Sequence, residues 1–234
     1  MVTNRMKTFA VDADIIAYRS ASVTTIKAEL IDIIDNTLGN IVAETGVRDM
    51  RLYLSGDANF RYEVAKTKPY KGNRTSDKPL LLRAARDYLR LEHGALVVDG
   101  YEADDAIASD MVLNGAMHCG VDKDILQVAG RHYNYVKKKF VDVPPEQALV
   151  NLYTQVIVGD STDNIGGLKG YGAVKAADII AAGTDPEAQC KLAYMEALGD
   201  DWIEYYNEQL ALVKLVTDLS IVDIVTKRFE ARLF

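Results

Sequence analysis

Cysteine and histidine are nearly missing from this chain. Its 234 residues hold two cysteines, Cys119 and Cys190, far apart and without a C-x-x-C, and three histidines, His93, His118 and His132. That excludes a disulfide framework and a Cys/His zinc site, and a reducing, cytosol-like compartment is expected. No run approaches the ~20 apolar residues needed to span a bilayer, and Asp12 and Asp14 interrupt the apolar stretch within Met1 to Tyr18, so a soluble cytoplasmic protein without a membrane partner is expected. Internal repeats, low-complexity tracts and long Gly/Ser linkers are absent. Positive charge is also short. The 27 Lys and Arg stand against 34 Asp and Glu, net −7, so the chain as a whole repels a polyanion unless its basic residues gather locally. With 49% hydrophobic and 26% charged residues the composition is that of a folded domain, not of a disordered or fibrous chain.

Short β-branched runs alternate with longer segments of helical period, the pattern of an α/β fold with a mostly parallel sheet flanked by helices. Strands are expected at Thr8 to Val11, Arg51 to Leu54, Ala95 to Val98 and Met117 to Val121. Acidic residues follow closely on each: Asp12, Asp57, Asp99 with Glu102, and Asp122. From Pro144 the strand pattern fades, and helices are expected at Pro145 to Val158, Lys175 to Ala182, Pro186 to Leu198 and Asp201 to Leu219. The chain thus divides into an α/β core over 1–143 and a helical region over 144–234 packed directly on it.

Charge segregates. From Arg61 to Arg90 nine basic residues face three acidic ones, and from Asp99 to Asp124 seven acidic residues face one basic. Acidic residues in a helical first turn, as in Glu102-Ala103-Asp104-Asp105, have an ordinary explanation in the helix dipole. Their company argues otherwise: Asp122-Lys123-Asp124 follows another strand, and Gly159-Asp160-Ser161-Thr162-Asp163-Asn164 sits where a helix meets a loop. In open α/β sheets the site lies beyond the carboxyl ends of the strands. Asp12, Asp57, Glu102, Asp104, Asp105, Asp122, Asp124, Asp160 and Asp163 should therefore converge there. Like charges so gathered repel and raise one another's pKa unless cations lie between them. Oxygen donors without His or Cys select magnesium or manganese, and two such ions suit phosphodiester hydrolysis.

The loop Gly166-Gly167-Leu168-Lys169-Gly170-Tyr171-Gly172 leads into a helix near Val174. A glycine-rich turn is more often only a turn, but glycines permit close backbone approach and helix N-terminal amides attract phosphate. With Lys169 and Lys175 flanking it, the loop reads as a clamp on a duplex backbone that grips by shape and charge.

Val11-Asp12-Ala13, Gly56-Asp57 with Phe60-Arg61, Tyr70-Lys71-Gly72-Asn73-Arg74, Glu102-Ala103-Asp104-Asp105, Asp122-Lys123-Asp124 and Gly159-Asp160 through Gly172, in this order, resemble the 5′-nuclease superfamily of flap endonucleases and 5′-3′ exonucleases, particularly its small phage-encoded members. The resemblance spans nearly the whole chain. It implies a PIN-like nuclease core, then a helix-three-turn-helix element at about 163–182 that grips duplex DNA and often holds potassium on loop carbonyls. It assigns Asp12, Asp57 and Asp104 to one magnesium and Asp122, Asp124 and Asp163 to the other, with Glu102, Asp105 and Asp160 acting through water or shaping the surroundings. Lys71 and Arg74 match basic residues that contact the scissile phosphate from a helical gateway over the site, Tyr18 an aromatic that stacks the base nearest the cut, and Tyr70, Lys169, Gly170, Gly172 and Lys175 fall at expected DNA contacts. Lys71 and Glu102 are only 31 residues apart, so an open clamp is expected instead of a closed threading arch. The activity implied is 5′-3′ cleavage of DNA near a 5′ end, flap or nick, in phage replication or degradation, by a monomer in an infected bacterial host. The RNA strand of a hybrid stays open as a substrate.

Two other readings compete. Asp12-Ala13-Asp14 and Gly159-Asp160 through Asp163 imitate the motifs of haloacid-dehalogenase-type phosphatases, with Asp12 as covalent nucleophile; this leaves Glu102 to Asp105 and the basic strip unexplained. A non-catalytic DNA-binding homologue would gain affinity by shedding the carboxylates, which are all present.

Overall fold

The computed structural model describes residues 7–220; the first six residues, and the chain end at Phe234, lie outside them. Strands β1 (Thr8–Asp12), β2 (Asp49–Asn59), β3 (Leu96–Gly100), β4 (Met117–Gly120), β5 (Gly130–Asn134) and β6 (Lys139–Val143) form one sheet in the order β3-β2-β1-β4-β5-β6. All neighbours are parallel except the β5–β6 hairpin. Parallel strands buried on both faces read as continuous apolar runs, and β1 does so: Phe9, Ala10 and Val11 are wholly buried. The chain order reverses at β1, between β2 and β4. That is the switch point where α/β proteins place their sites.

Helices α1 (Ala13–Ala21), α2 (Lys27–Thr45) and α4 (Leu82–Leu91) cover one sheet face through Ile16, Leu30, Ile34, Ile41 and Leu89. Helix α5 (Ala103–Asn114) covers the other, burying Ala106, Ile107 and Met111 against Ala10 and Tyr53. Short α3 (Arg61–Val64) follows β2. Helices α6 (Pro145–Val158), α7 (Ala173–Ala181), α8 (Pro186–Leu198) and α9 (Trp202–Val213) build a second core around Val156, Ile157, Ile180 and Tyr194. Proline at the start of α6 and α8 sits where a missing amide does no harm, and Asp185 caps α8.

The structure differs from the sequence expectation in three places. The hairpin β5–β6 was not foreseen; its edge strand is largely exposed and interrupted by charge, so it lacks the apolar alternation that marks a strand. Residues 135–138 form its turn, Lys138 with φ 52°. Helix α9 stops at Val213, six residues short of Leu219, because the backbone from Leu212 to Leu219 is bonded by side chains from other elements. Finally, residues 65–81 contain no helix; the gateway is a looped segment and not a helical arch.

Candidate active site

Asp12 ends β1 and caps α1, its carboxylate accepting from the Ile15 amide at 3.1 Å. Asp104 lies in the first turn of α5, Asp122 follows β4, and Asp124 opens a 3-10 turn that ends at Gln127. Four carboxylates thus meet at the carboxyl edge of the central strands. Burial and then the charge of Asp14 push Asp12 up to about 7, with Asp122 adding to it. Burial, Asp12 and Asp122 hold Asp104 well above the carboxylate range. Burial, then Asp122 and Asp160, push Asp124 up to about 7. Asp122 belongs to both groups, with Asp12 and Asp104 on one side and Asp124 and Asp160 on the other. A protein gains nothing in stability from such crowding; divalent cations would relieve it. Among the described residues no three acidic, His or Cys side chains stand close enough together to hold a metal ion as placed. The donors are nevertheless all hard oxygens, the set that suits magnesium or manganese.

The looped segment after α3 is pinned across this edge. The Tyr70 hydroxyl donates to Glu102 at 2.9 Å and to Asp163 at 2.8 Å. Lys71 pairs with Glu102 and lies 3.7 Å from Asp163, and Arg74 pairs with Asp163. Three more bonds fasten the segment to the loop after α6: the Lys71 amide to the Asp163 carbonyl at 2.9 Å, Asn73 to the Ser161 carbonyl at 2.6 Å, and Asn164 to the Pro69 carbonyl at 2.8 Å. Lys71 adopts φ 55° to make this turn. Glu102 and Asp163 thus carry organic counter-ions, whereas among the described residues Asp12, Asp104 and Asp124 form no salt bridge.

Several sequence expectations need correction. Asp105 is not available to a metal: it is fully buried, takes both arms of Arg61 at 2.7 and 2.8 Å, and accepts from the Glu102 and Val216 amides. Arg61, counted in the basic strip, is 1% exposed and bonds to the Leu212 and Lys214 carbonyls; Lys66, Lys68, Lys78, Arg83 and Arg90 remain exposed. Tyr70 is not a DNA-facing ring; it is buried in the second core, and its hydroxyl aligns carboxylates. Asp57 lies exposed near the irregular end of β2, opposite β3, and is not among the charges that raise Asp12 or Asp104. The carboxylates that raise one another are instead Asp12, Asp104 and Asp122 on one side and Asp122, Asp124 and Asp160 on the other. Tyr18 is 45% exposed on α1, open to stacking.

Three contributors were not foreseen. Asp14, which raises Asp12, is itself held by the Ser55 amide at 2.7 Å and by Arg86 from α4. The Ser55 hydroxyl in turn accepts from the Ala103 amide at 3.0 Å, fixing the start of α5. A D-x-D phosphatase needs its second aspartate free for proton transfer, and Asp14 is not. Helical phase would have revealed Asp105: it shares a face with Ala108 and Ser109, both buried.

The loop 159–172 between α6 and α7 closes on itself through mutual Asp160–Ile165 backbone bonds of 3.0 and 2.7 Å. Gly159 (φ 75°) and Gly167 (φ 56°) pack backbone to backbone; a Cβ on Gly159 would lie 2.5 Å from the Ile165 carbonyl oxygen. Tyr205 and Gln209 of α9 hold Gly167 at its carbonyl and amide. Beyond this rigid part, Lys169, Gly170, Gly172 and Lys175 are exposed around the start of α7, and Lys175 lies 3.4 Å above the Tyr171 ring.

The fold, with its switch-point sheet and helical second core, is shared with solved exonuclease and flap endonuclease structures. No family model and no curated protein matches the chain by sequence, whereas solved structures do. A 5′-exonuclease of bacteriophage T5 with divalent zinc bound aligns over 97% of this chain and 98% of its own at TM-score 0.67 and 19% identity. A bacteriophage T5 flap endonuclease in a pseudo-enzyme-product complex with DNA and metal ions aligns over the same shares at 0.67 and 18%. The catalytic core of Rad2 with DNA substrate aligns over 88% of this chain and 72% of its own at 0.55 and 17%. At these identities the likeness is one of fold. No described helix is long and apolar enough to cross a membrane.

Proposed function

We propose that this chain is a magnesium-dependent 5′-3′ nuclease that engages duplex DNA beside a 5′ end, flap or nick and hydrolyses a phosphodiester to a 5′-phosphate and a 3′-hydroxyl. The observation that carries the reading is the set of mutually repelling carboxylates Asp12, Asp104 and Asp124, the first buried and the other two half-buried, at the edge where Lys71 pairs with Glu102 and Arg74 with Asp163. Asp12, Asp104 and Asp122 would hold one magnesium and Asp122, Asp124 and Asp160 the other, with manganese an acceptable substitute; bound ions would activate water and steady the leaving oxygen.

The chain's own residues supply the rest. Lys71 and Arg74, anchored through their backbone neighbours, exchange carboxylate for phosphate as the strand enters, and a fixed ammonium there stabilises developing charge. Tyr70 keeps Glu102 and Asp163 aligned during that exchange. Tyr18 offers a ring to an unpaired base. Lys169 and Lys175 with the α7 amides grip the duplex backbone, and loop carbonyls would hold potassium. The exposed lysines and arginines of residues 66–90 extend this track, so a net −7 chain still attracts DNA on one face. A monomer serving phage DNA replication or degradation in the bacterial cytoplasm fits the likeness to T5 structures, and the RNA strand of a hybrid is a permitted substrate.

The test uses 5′- and 3′-labelled duplexes with and without flaps, with and without magnesium. Metal-dependent release from the 5′-labelled strand is expected, and Asp124→Asn should abolish it while leaving duplex binding in place. Release of inorganic phosphate from small esters, or cleavage in excess chelator, would overturn the reading.

A further inference from the structure

The stretch 212–219 is bonded to α5 and to the 3-10 turn after β4, two of the elements that carry site carboxylates, and to Arg61 of α3. It leaves α9 in the second core and runs onto the sheet's α5 face, where Leu215 and Leu219 pack with Ile125 and Ile107. From α5, Asp105 accepts from the Val216 amide at 2.9 Å, and the Ser109 hydroxyl bonds the Val216 carbonyl and the Leu219 amide, each at 3.0 Å. From α3, Arg61 donates to the Leu212 and Lys214 carbonyls. From the 3-10 turn after β4, Gln127 donates to the Val213 carbonyl at 3.1 Å and accepts from the Leu215 amide at 2.9 Å. The same Gln127 amide nitrogen donates at 3.1 Å to the carbonyl of Asp124.

Resting on the nuclease reading above, we propose that residues 212–219 are a strap that sets the spacing between Asp104 on α5 and Asp122 with Asp124 after β4, and that Gln127 is the positioning residue joining the strap to the second-ion carboxylates. Asp104 and Asp124 sit on separate elements, and no strand pairing joins α5 to the 3-10 turn. Side-chain groups that orient metal ligands in this way govern metal affinity by factors of about 10 to 100 when removed. Gln127 has the geometry for such a role. It satisfies a free carbonyl and a free amide of the strap, which no apolar side chain does, and its third bond ends on the backbone of a candidate ligand.

The experiment compares Gln127→Ala and Gln127→Glu with the parent chain. Manganese binding to the DNA-free protein is read by calorimetry, magnesium activation by single-turnover cleavage, and duplex binding by anisotropy. Gln127→Glu keeps the size and the acceptor for the Leu215 amide but loses both donated bonds. Both variants should bind manganese about tenfold more weakly or worse, need correspondingly more magnesium for half-maximal cleavage, regain the parent rate in excess metal, and hold duplex DNA unchanged. Parent-like manganese isotherms in both variants would overturn the inference, as would failure of both to fold, which would make Gln127 a residue of the fold alone. A parent chain that binds no manganese and cleaves nothing would instead remove the nuclease reading beneath it.

Discussion

Replacing Asp12 by Asn should stabilise the metal-free protein while destroying its activity. Asp12 is 8% exposed and its carboxyl is pushed from the ordinary 3.8 to about 7, first by burial and then by Asp14. Carried by one group alone, that difference is about 4 kcal/mol at 1.36 kcal/mol per pKa step. Asp14 and Asp122 share the load and an amide must still be solvated, so a gain of about 1–2 kcal/mol is the working figure. Asn retains the α1 cap, because its carbonyl oxygen accepts from the Ile15 amide as the carboxylate does. The sign follows from linkage. A carboxyl whose folded pKa is raised contributes stability that is complete below 3.8 and lost as pH climbs through about 7. The advantage of Asp12→Asn is therefore largest near pH 8 and vanishes near pH 4. Urea melts in chelator at pH 8 and pH 5 read it directly, and heating should show a rise of about 3–6 °C at pH 8. Saturating magnesium reverses the order, since the parent alone gains binding energy in the folded state. A variant less stable than its parent at pH 8 in chelator, or a gain that persists undiminished at pH 4, would refute the crowding on which the site rests.

Three further outcomes are expected. Lys71→Ala should slow single-turnover cleavage by roughly two to three orders of magnitude, the scale of one lost transition-state donor, with duplex affinity nearly unchanged; equal losses in rate and affinity would reduce Lys71 to a docking contact. Lys175→Ala should weaken duplex binding and lower the slope of log affinity against log salt by about one, and a parent-like slope would mean that the start of α7 grips nothing. His118 is buried, and burial with the neighbouring His132 lowers its pKa from 6.5 to about 3; its stabilising neutrality is complete above 6.5 and lost as pH falls toward 3. His118→Leu should therefore lose less stability than its parent between pH 6.5 and 4.5, by up to about 1.4 kcal/mol per pH unit; parallel urea profiles would count against an imidazole that must charge on unfolding.

Much of the architecture was legible because it rests on local patterns. The run from Phe9 to Val11 marks a strand buried on both faces, and the prolines and Asp185 mark the starts of α6 and α8 to the residue. Part of the acidic edge was legible because carboxylates after parallel strands collect at their carboxyl ends; Asp57 departs from that rule where β2 becomes irregular. What stayed hidden was direction. Asp104 and Asp105 are adjacent, yet a 100° turn per residue sends Asp104 to the crowded edge and Asp105 inward to Arg61. Arg61 looked like part of a DNA-binding strip because composition counts charge without its address; its partners lie 44 and 151 residues away. Tyr70 misled for the same reason, its ring buried while its hydroxyl reaches two carboxylates from distant elements.

The hidden residues have one thing in common, and it bears on how the site works. Arg61, Tyr70, Asp105 and Gln127 each bridge elements that no strand pairing joins. Magnesium tolerates little departure from octahedral positions. A site built of aspartates on separate elements therefore needs its spacing enforced by the protein. Long-range polar bridges in a low-dielectric interior do that, because breaking one leaves its partner buried and unsatisfied, at about 1–3 kcal/mol for a neutral group and more for a charged one. Each aspartate is free to repel its neighbour only because these bridges hold the elements in place.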